Sequence, residues 1–420
     1  MRAVRVMTAA MSLALVTSSV ASGQTQDALF DDSAIQEVHL IVNSRDWQTL
    51  RADANENTYY PANLIWQGLT VRNVGIRSRG NGTRNGTKPG LRVDFNRYVS
   101  NQEFLGLKAL VLDNAYSDGS SIRESVTMKM FQRIGVPSPR EAHAKLYVNN
   151  EYVGAYVVVE EIDRTFITRV FGAAEGDVET GGHLFEYKWK FPYYFEYLGS
   201  GLQPYAALFE PQTHETDSLS ALYAPIEELI RAINESSDQD FRSAVGDYLD
   251  LPLLMKQLAV ESFMVEWDGI AGNWAANNFY LYRFRDSKRS QLIPWDKDHT
   301  FTFIEVPVTF RLDLSVLTRR ALQVPELKQI FDDTLARCAA IAQEPRPGDP
   351  RGWLEREVER EAAQVAPAVA DDPVFPVPYD EFQSQVDFLL RFARLRSPFV
   401  VCELTDPDPQ SCSIPTDQRP

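Results

Sequence analysis

The first part of the chain alternates apolar and polar residues with the two-residue period of β-strands. Short runs rich in Val, Ile and aromatic residues predict strands at residues 35–41, 64–66, 69–76, 91–95 and 109–112. Two further runs, 144–148 and 152–159, flank the polar turn Asn149-Asn150 and predict a hairpin. Helical periodicity occurs at 44–51, with Ser44 as the expected cap, and at 120–134, where Gly135 would end the helix.

After about residue 210 the periodicity becomes mainly helical. Helices are predicted at residues 219–234, 238–247, 251–263, 325–343, 351–365 and 379–395. One β-like insertion, residues 278–285 and 291–293, interrupts them. A strand-rich half followed by a helical half predicts an α+β fold of two lobes rather than a parallel sheet.

Composition and charge restrict the classes of function. The 420 residues are 44% hydrophobic and 24% charged, as in folded globular proteins. Lys and Arg number 42 against 58 Asp and Glu, which gives a net charge of −16. Neutralising a polyanion needs clustered Lys and Arg, so we expect no nucleic-acid partner. The charge of any phosphate that the protein binds must be neutralised by a few local groups, with the help of a divalent metal.

The N-terminus has the order of a secretory leader. Arg2 and Arg5 precede an apolar stretch at 6–16, and small residues follow up to Gly23. This pattern predicts a signal peptide over residues 1–23. An N-terminal membrane anchor is the alternative, but the apolar run is shorter than the roughly 20 residues that span a bilayer. We therefore expect a secreted, periplasmic or cell-surface protein with no transmembrane segment after leader removal.

Three cysteines are too few for a dense disulfide framework. Cys402 and Cys412 flank part of a Pro- and Asp-rich tail and could close a small loop, which would leave Cys338 as a buried thiol within a helix. Pairing of Cys338 with Cys402 is the alternative, and both stay open.

Residues 266–301 contain the most informative chemistry. Six side chains with oxygen donors flank the predicted β-insertion: Asp268, Asn273, Asn277, Asn278, Asp296 and Asp298. Two strands joined by a short polar turn run antiparallel, which brings the residues before the first and after the second to the same end. Clustered carboxylate and amide oxygens suit Mg²⁺, Mn²⁺ or Ca²⁺ better than zinc.

A Gly-rich segment at residues 77–88 is the second candidate element. Gly80, Gly82 and Gly86 would let backbone amides approach an anion, and basic side chains accompany them at Arg77, Arg79, Lys88 and Arg92. The glycine spacing matches neither a Walker loop nor the dinucleotide fingerprint, so an ordinary basic hairpin is the alternative. In the predicted helix, Arg123 and Glu124 are adjacent, and only one of them can face this segment. We find no zinc-spaced cysteine pair, HExxH or Gly-x-Ser-x-Gly motif.

The order of these pieces resembles the CotH family, the spore-coat-protein-H-like atypical kinases. The matching motifs are RSRGNGT with Lys88, LVLDNAYSDGSSIRES (110–125), EYVGAYVVVEEID (151–163), HLFEYKWK (183–190), NNFYLYR (277–283) and IPWDKDHTF (293–301). The resemblance covers residues 35–400 approximately, in colinear order. It implies a secreted or surface-associated protein with a remote protein-kinase-like fold that uses ATP with Mg²⁺ or Mn²⁺.

The resemblance also implies site residues. Asp268 would correspond to the catalytic-loop aspartate, and the metal would be held by Asn278 (or Asn277), Asp296 and Asp298. The nucleotide contacts would come from Arg79, Gly80, Asn81, Lys88, Arg92 and, at the hinge between lobes, Glu160. Asn273 would be the metal-binding asparagine if ordinary kinase spacing applied. Because no Val-Ala-Ile-Lys strand exists, the phosphate-binding lysine role stays open among Lys88, Arg92, Lys108 and Lys145.

The predicted organisation is a leader (1–23), an N-terminal lobe (24–160), a C-terminal lobe (161–402) and a tail (403–420). The favoured function is transfer of the ATP γ-phosphate to Ser or Thr of exported or surface proteins. A non-catalytic envelope or surface binding module and a metal-dependent phosphohydrolase are the alternatives. The oligomeric state stays open.

Overall fold

A computed structural model describes residues 23–406, 408 and 411–414. Residues 1–22, and with them the proposed leader, lie outside the described range. Among the described residues, seven strands close into an N-terminal barrel: β1 (Gln36–Val42), β2 (Tyr60–Trp66), β3 (Leu69–Arg79), β4 (Gly90–Asp94), β5 (Ala109–Asp113), β6 (Glu141–Val148) and β7 (Glu151–Val159). The strand order is β1-β2-β3-β4-β5-β7-β6, and the parallel pairing of β1 with β6 closes it.

Alternating side chains fill the barrel. Val38, Leu40 and Trp66 point inward and are buried, as the two-residue period requires. The turn between β6 and β7 has Asn149 and Asn150 in the left-handed region, with φ of 52° and 68°. Asparagine tolerates that region, and two such residues form the tight turn that suits the twist of a hairpin. Two short helices precede and follow β1: α1 (Gln26–Leu29) and α2 (Ser44–Ala52).

Helix α3 (Arg123–Ile134) lies between two barrel strands in sequence, but its apolar face packs against the C-terminal half. It begins three residues later than the sequence pattern suggests, because the Asp118 carboxylate accepts the backbone N–H groups of Ser120 and Arg123 and forms a turn there. Gly135, at φ 84°, ends it. Its apolar residues, including Val126 and Phe131, belong to the large core of the C-terminal half.

The C-terminal half combines one sheet with a helical array. Four strands pair in the order β11-β10-β8-β9: β8 (His183–Tyr187), β9 (Phe209–Pro211), β10 (Phe279–Arg283) and β11 (Ser290–Pro294). The helices are α4 (Arg164–Phe171), α5 (Gln203–Leu208), α6 (Leu219–Glu235), α7 (Phe241–Gly246), α8 (Leu251–Met264), α9 (Val316–Gln323), α10 (Pro325–Ala342), α11 (Trp353–Ala370) and α12 (Tyr379–Thr405). This α+β arrangement confirms the predicted fold class, although the pattern did not identify β8, β9, α5 or α9.

Helix α8 positions the segment that carries Asp268. It is apolar on nearly all sides and buried, begins at the Asp250 cap, and ends at Val265 in the left-handed conformation. The guanidinium of Arg396, whose side chain is fully buried, donates to four carbonyls, two of them (Ser262 and Phe263) at the end of α8. The other two belong to Ile304 and Val306, so one side chain joins the end of α8 to the segment after β11.

The cysteines follow the first of the two pairings considered. Cys402 and Cys412 form a disulfide, and Cys338 is a buried free thiol within α10. The disulfide attaches part of the tail to the end of α12. Within the described residues, every helix is too short or too polar to cross a bilayer.

Candidate active site

The β10–β11 hairpin brings its two open ends together. Its register runs from Phe279 opposite Pro294 to Arg283 opposite Ser290. One residue further, the Trp295 backbone N–H donates to the Asn278 carbonyl at 3.2 Å. Asn278 and Asp296 therefore lie at the same end of the ribbon, as the antiparallel pattern predicts.

Asp268 lies beside two asparagines. The Asn277 side-chain amide is 3.0 Å from both Asp268 carboxylate oxygens, and that of Asn278 is 3.0 Å from Oδ2. Asn273 instead approaches through its backbone, donating to the Trp267 carbonyl at 2.6 Å. Asn277 and Asn278 are thus the asparagines that the fold places at the acid, and their amide oxygens are left as acceptors or ligands. The geometry disfavours Asn273 as the metal-binding asparagine.

The surroundings of Asp268 strengthen it as a proton acceptor. Burial raises its pKa to about 6, and the charge of Asp296 adds to this, although the two asparagine hydrogen bonds act in the opposite direction. Such a carboxylate is still ionised at neutral pH but holds a proton more tightly than an exposed aspartate. This suits an acid that orients a hydroxyl and takes its proton.

Several carboxylates converge around Asp296, which itself has a left-handed backbone (φ 52°). Burial, followed by the charge of Asp296, raises the pKa of Asp298 well above its usual range. Burial and nearby carboxylates that include Asp296 also raise the pKa of Asp113 and of Glu124. Mutual repulsion of this kind is relieved by a bound cation.

The donor set fits a hard divalent cation. The groups at the site offer carboxylate and amide oxygens, the ligands that Mg²⁺ and Mn²⁺ prefer. Nearby, both carboxylate oxygens of Glu141 are buried and lack a hydrogen-bond partner among the described residues. Asp296 is among the charges that raise the pKa of Glu141, after burial, Glu361 and Asp113. Burial and mutual repulsion therefore disfavour the ionised forms of these carboxylates unless a cation binds among them.

The buried Lys297, which lies between Asp296 and Asp298 in sequence, connects α8 to the backbone of Asn278. The Lys297 ammonium, whose side chain is fully buried, is 3.1 Å from Glu261 Oε1 and donates to the Asn278 carbonyl at 3.1 Å. Glu261 Oε2 accepts the Ile270 backbone N–H at 2.9 Å. A Cβ at Gly269 would lie 2.4 Å from that oxygen, which explains the glycine after Asp268. Sequence reasoning did not find Lys297 or Glu261; the only signal was a lysine flanked by two acids.

Helix α3 contacts the segment that follows Asp296. Glu124 Oε1 accepts the Lys297 backbone N–H at 3.3 Å, and Arg123 donates to the Thr300 carbonyl at 3.3 Å. The Thr127 and Thr300 hydroxyls are 2.9 Å apart. Arg123 and Glu124 therefore both contact residues 297–300. The expectation that only one of them faces the Gly-rich segment stays a prediction.

Arg79 is the cation of the Gly-rich segment that lies nearest to these acids. It ends β3, its Nη1 is 3.3 Å from Asp113 Oδ2, and its guanidinium lies 5.3 Å from the Trp295 ring centroid. The next residue, Gly80, has φ 110°, and a Cβ there would lie 2.7 Å from the Thr83 hydroxyl. Asn81 is exposed at the tip of the loop. Roles for Arg79, Gly80 and Asn81 in nucleotide binding stay predictions.

The structure corrects the predicted role of Lys88. Its side chain is only 1% exposed, and its ammonium is 2.8 Å from Asp372 Oδ2 in the turn after α11. The rings of Tyr156 and Phe375 lie 5.3 and 4.9 Å from it. Lys88 is therefore enclosed in a buried ion pair and is not presented to a phosphate. Its partner is 284 residues away, and no local pattern indicates it.

The Glu160 carboxylate is also occupied by protein groups. It is 1% exposed and accepts two hydrogen bonds from Arg169, at 2.8 and 2.6 Å, and two from Arg140, one from its guanidinium at 2.8 Å and one from its backbone N–H at 3.1 Å. A direct contact between this carboxylate and a cofactor is thus excluded in this conformation, a second correction. Glu161 pairs instead with Arg92, at 3.2 Å, and Arg92 remains a candidate nucleotide contact.

An exposed aromatic surface borders Asp268. It comprises five side chains that are 37–56% exposed: Trp189, Phe191, Trp274, Phe303 and Phe310. Phe303 and Phe310 pack on Trp267, the neighbour of Asp268, with ring centroids 5.6 and 5.5 Å away. The Trp189 indole donates to the Trp274 carbonyl. Residues 185–197 thus divide into buried rings such as Tyr193 and rings on this surface.

Three features together define a kinase-like protein. They are a strand-rich lobe with a Gly-rich loop, a helix that contacts the segment after Asp296, and the Asp268–Asn278 pair beside Asp296. The chain belongs to the CotH kinase protein family, whose sequence profile matches residues 76–400. The inner spore coat protein H of Bacillus subtilis (strain 168) is 21% identical over 378 residues, covering 86% of this chain and 95% of that protein.

Two solved structures show weaker likeness. The Helicobacter pylori proinflammatory kinase CtkA is 10% identical, with a TM-score of 0.26, and covers 76% of this chain and 94% of its own. The HipA, HipB and operator DNA complex of Shewanella oneidensis MR-1 gives 12% identity and a TM-score of 0.31, covering 76% of this chain and 66% of the other.

Proposed function

We propose that this protein is an ATP- and divalent-metal-dependent kinase that phosphorylates Ser or Thr of exported or surface proteins. One observation carries the proposal: Asp268, hydrogen-bonded to Asn277 and Asn278, lies at the end of the hairpin that also presents Asp296. A phosphotransferase needs an acid to orient the attacking hydroxyl and oxygen ligands for the metal that accompanies the triphosphate. Family membership supports the same chemistry.

Each residue has a distinct role in this proposal. Asn278, Asp296 and Asp298 would hold Mg²⁺ or Mn²⁺, which would neutralise charge on the phosphates. Arg79 donates to phosphate oxygens, and the backbone at Gly80 and Asn81 covers them. Lys297, paired with Glu261, keeps the Asn278 backbone in place.

The transfer step is an in-line displacement. The acceptor oxygen of Ser or Thr forms a bond to the γ-phosphorus, and the bond from that phosphorus to the bridging oxygen breaks, which releases ADP. The hydroxyl proton passes to the Asp268 carboxylate. Because burial favours the protonated form of Asp268, that residue can hold the proton until the product leaves.

The aromatic surface supports a polypeptide as the acceptor. Exposed aromatic side chains grouped beside a catalytic acid offer apolar contacts to side chains that flank a serine or threonine. Export is supported by the leader-like N-terminus and by a disulfide, which forms in oxidising compartments. The similarity to a spore coat protein is in accord with a surface location.

The test is incubation of the chain from residue 24 onward with γ-labelled ATP and Mg²⁺ or Mn²⁺. A mixture of exported proteins and a Ser/Thr peptide library would serve as acceptors. Label in protein or peptide supports the kinase. Release of labelled phosphate alone would identify a phosphohydrolase. Absence of turnover together with no calorimetric signal from millimolar Mg-ATP would indicate a binding module and overturn the proposal.

Activity should fall on acidification. Because burial raises the pKa of Asp268 to about 6, this acid becomes protonated, and unable to accept the hydroxyl proton, below about pH 6 rather than below pH 4. We expect log(kcat/KM) to lose about one unit per pH unit on this limb. A pH–rate profile that stays flat down to pH 4.5, where circular dichroism shows the fold intact, would contradict this role.

A further inference from the structure

Two histidines and an aspartate meet on the C-terminal sheet, away from the catalytic acids. His183 begins β8, and His214 and Asp217 follow β9. The two imidazole rings stack with centroids 4.5 Å apart, and His183 Nε2 is 3.2 Å from Asp217 Oδ2. One ligand atom from each of the three side chains lies within 4.8 Å of the other two. The ligand atoms are thus within about 1.5 Å of the roughly 3.3 Å separation of ligands around a tetrahedral zinc ion.

The backbone of the cluster is already fixed. The Thr213 hydroxyl donates to the Gly182 carbonyl at 3.0 Å and accepts the Leu184 N–H at 2.9 Å, which joins the segment after β9 to the start of β8. The Asp217 N–H donates to the His214 carbonyl at 2.9 Å. His214 adopts a left-handed backbone, with φ 56°. Little reorganisation is needed to bring the three side chains onto one ion.

Both rings have the environment of metal-binding histidines. His214 Nε2 is 3.1 Å from the Gly181 carbonyl, a contact that places the proton on Nε2 and the lone pair on Nδ1. The His183 ring is partly buried, and its Nε2 faces the Asp217 carboxylate. A cation between His183 and Asp217 would replace the proton that they now share.

We propose that His183, His214 and Asp217 bind one zinc ion. Two imidazoles and one carboxylate are a typical zinc donor set, and they leave a fourth position for water or another ligand. His183 pairs with Arg283, at the opposite end of β10 from Phe279. At about 3.3 Å per residue, the five-residue separation between Asn278 and Arg283 puts the ion about 17 Å along the strand from the proposed phosphotransfer site. The ion would tie β8 to the segment that leads into α6.

Calorimetric titration with ZnCl₂ tests the site. The chain from residue 24 would be stripped of metal and kept in about 5 mM MgCl₂, so that the catalytic acids do not compete. We expect one zinc per chain, with micromolar or tighter affinity, and a loss of at least tenfold in His214→Asn. His39→Asn is the matched control, because His39 lies on the barrel against Tyr147. Asp217→Asn serves as a second variant if His214→Asn does not fold.

Cobalt substitution provides an independent measurement. A tetrahedral nitrogen and oxygen site gives visible absorption bands with Co²⁺, and these should disappear in His214→Asn and persist in His39→Asn. Equal zinc affinity in wild type, His214→Asn and Asp217→Asn, or the lack of any zinc binding, would overturn the proposal. Neither readout uses ATP, so failure of the zinc site and failure of the kinase proposal are distinguishable.

Discussion

Asp296→Asn is expected to weaken Mg-ATP binding and turnover together, whereas Asp268→Asn is expected to lower turnover alone. The first substitution removes a negative charge from the group that would hold the metal. The second leaves that group in place and removes the acceptor of the hydroxyl proton. For Asp268→Asn we expect kcat to fall about 10²–10⁴-fold, the usual contribution of a positioned acid or base. Removal of the metal-holding charge should cost at least as much.

Calorimetry with Mg-ATP and steady-state rates on the same preparations separate the two roles. Asp286→Asn is a matched control, because Asp286 lies at the exposed turn of the same hairpin and, like Asp296, has φ 52°. Asparagine tolerates this backbone conformation, so none of the exchanges adds strain there. Normal nucleotide affinity in Asp296→Asn would remove the metal role. Normal turnover in Asp268→Asn would remove the catalytic assignment.

Lys88→Met should destabilise the protein strongly without impairing the site. It leaves the buried Asp372 carboxylate without its cation, a change that typically costs about 3–5 kcal/mol. Arg79→Met is expected to do the opposite, with little loss of stability and a KM for ATP at least tenfold higher. Urea unfolding followed by tryptophan fluorescence gives the free energy of unfolding. Initial rates at 10 °C, where both variants remain folded, give the KM for ATP.

A double variant distinguishes a buried ion pair from a lost nucleotide contact. Lys88→Met with Asp372→Leu removes both charges and should recover part of the lost free energy of unfolding, since replacement of a buried pair by apolar residues is often close to neutral. Recovery will be incomplete, because Asp372 also accepts the Ala155 N–H at 2.9 Å. A raised KM for ATP in Lys88→Met, with unchanged stability, would restore Lys88 to the nucleotide site.

Local patterns were sufficient for much of the fold and for the centre of the site. Alternating apolar residues predicted the barrel strands, and the turn after β10 predicted the ribbon that joins Asn278 to Asp296. These features depend on residues close together in sequence, where backbone propensity and strand register determine the arrangement.

Contacts between distant segments could not be predicted in this way. Lys88 and Glu160 are charged residues of the kind that usually lie exposed and contact ligands. In the structure each is instead neutralised by ion pairs with residues that only the tertiary fold brings near. The pattern of 120–134 identified an amphipathic helix but not which lobe its apolar face contacts. Burial against a particular partner follows from the whole chain, so a single sequence without homologues does not indicate it.

The attachment of α3 limits how the barrel could move relative to the C-terminal half. The helix shares the core of the C-terminal half and holds residues 297–300 through Glu124, Arg123 and Thr127. Helix α3 and residues 297–300 therefore form one rigid unit, although α3 belongs to the N-terminal half of the chain. Any movement of the barrel against that unit would have to break the buried Lys88–Asp372 pair, which joins the segment before β4 to the turn after α11.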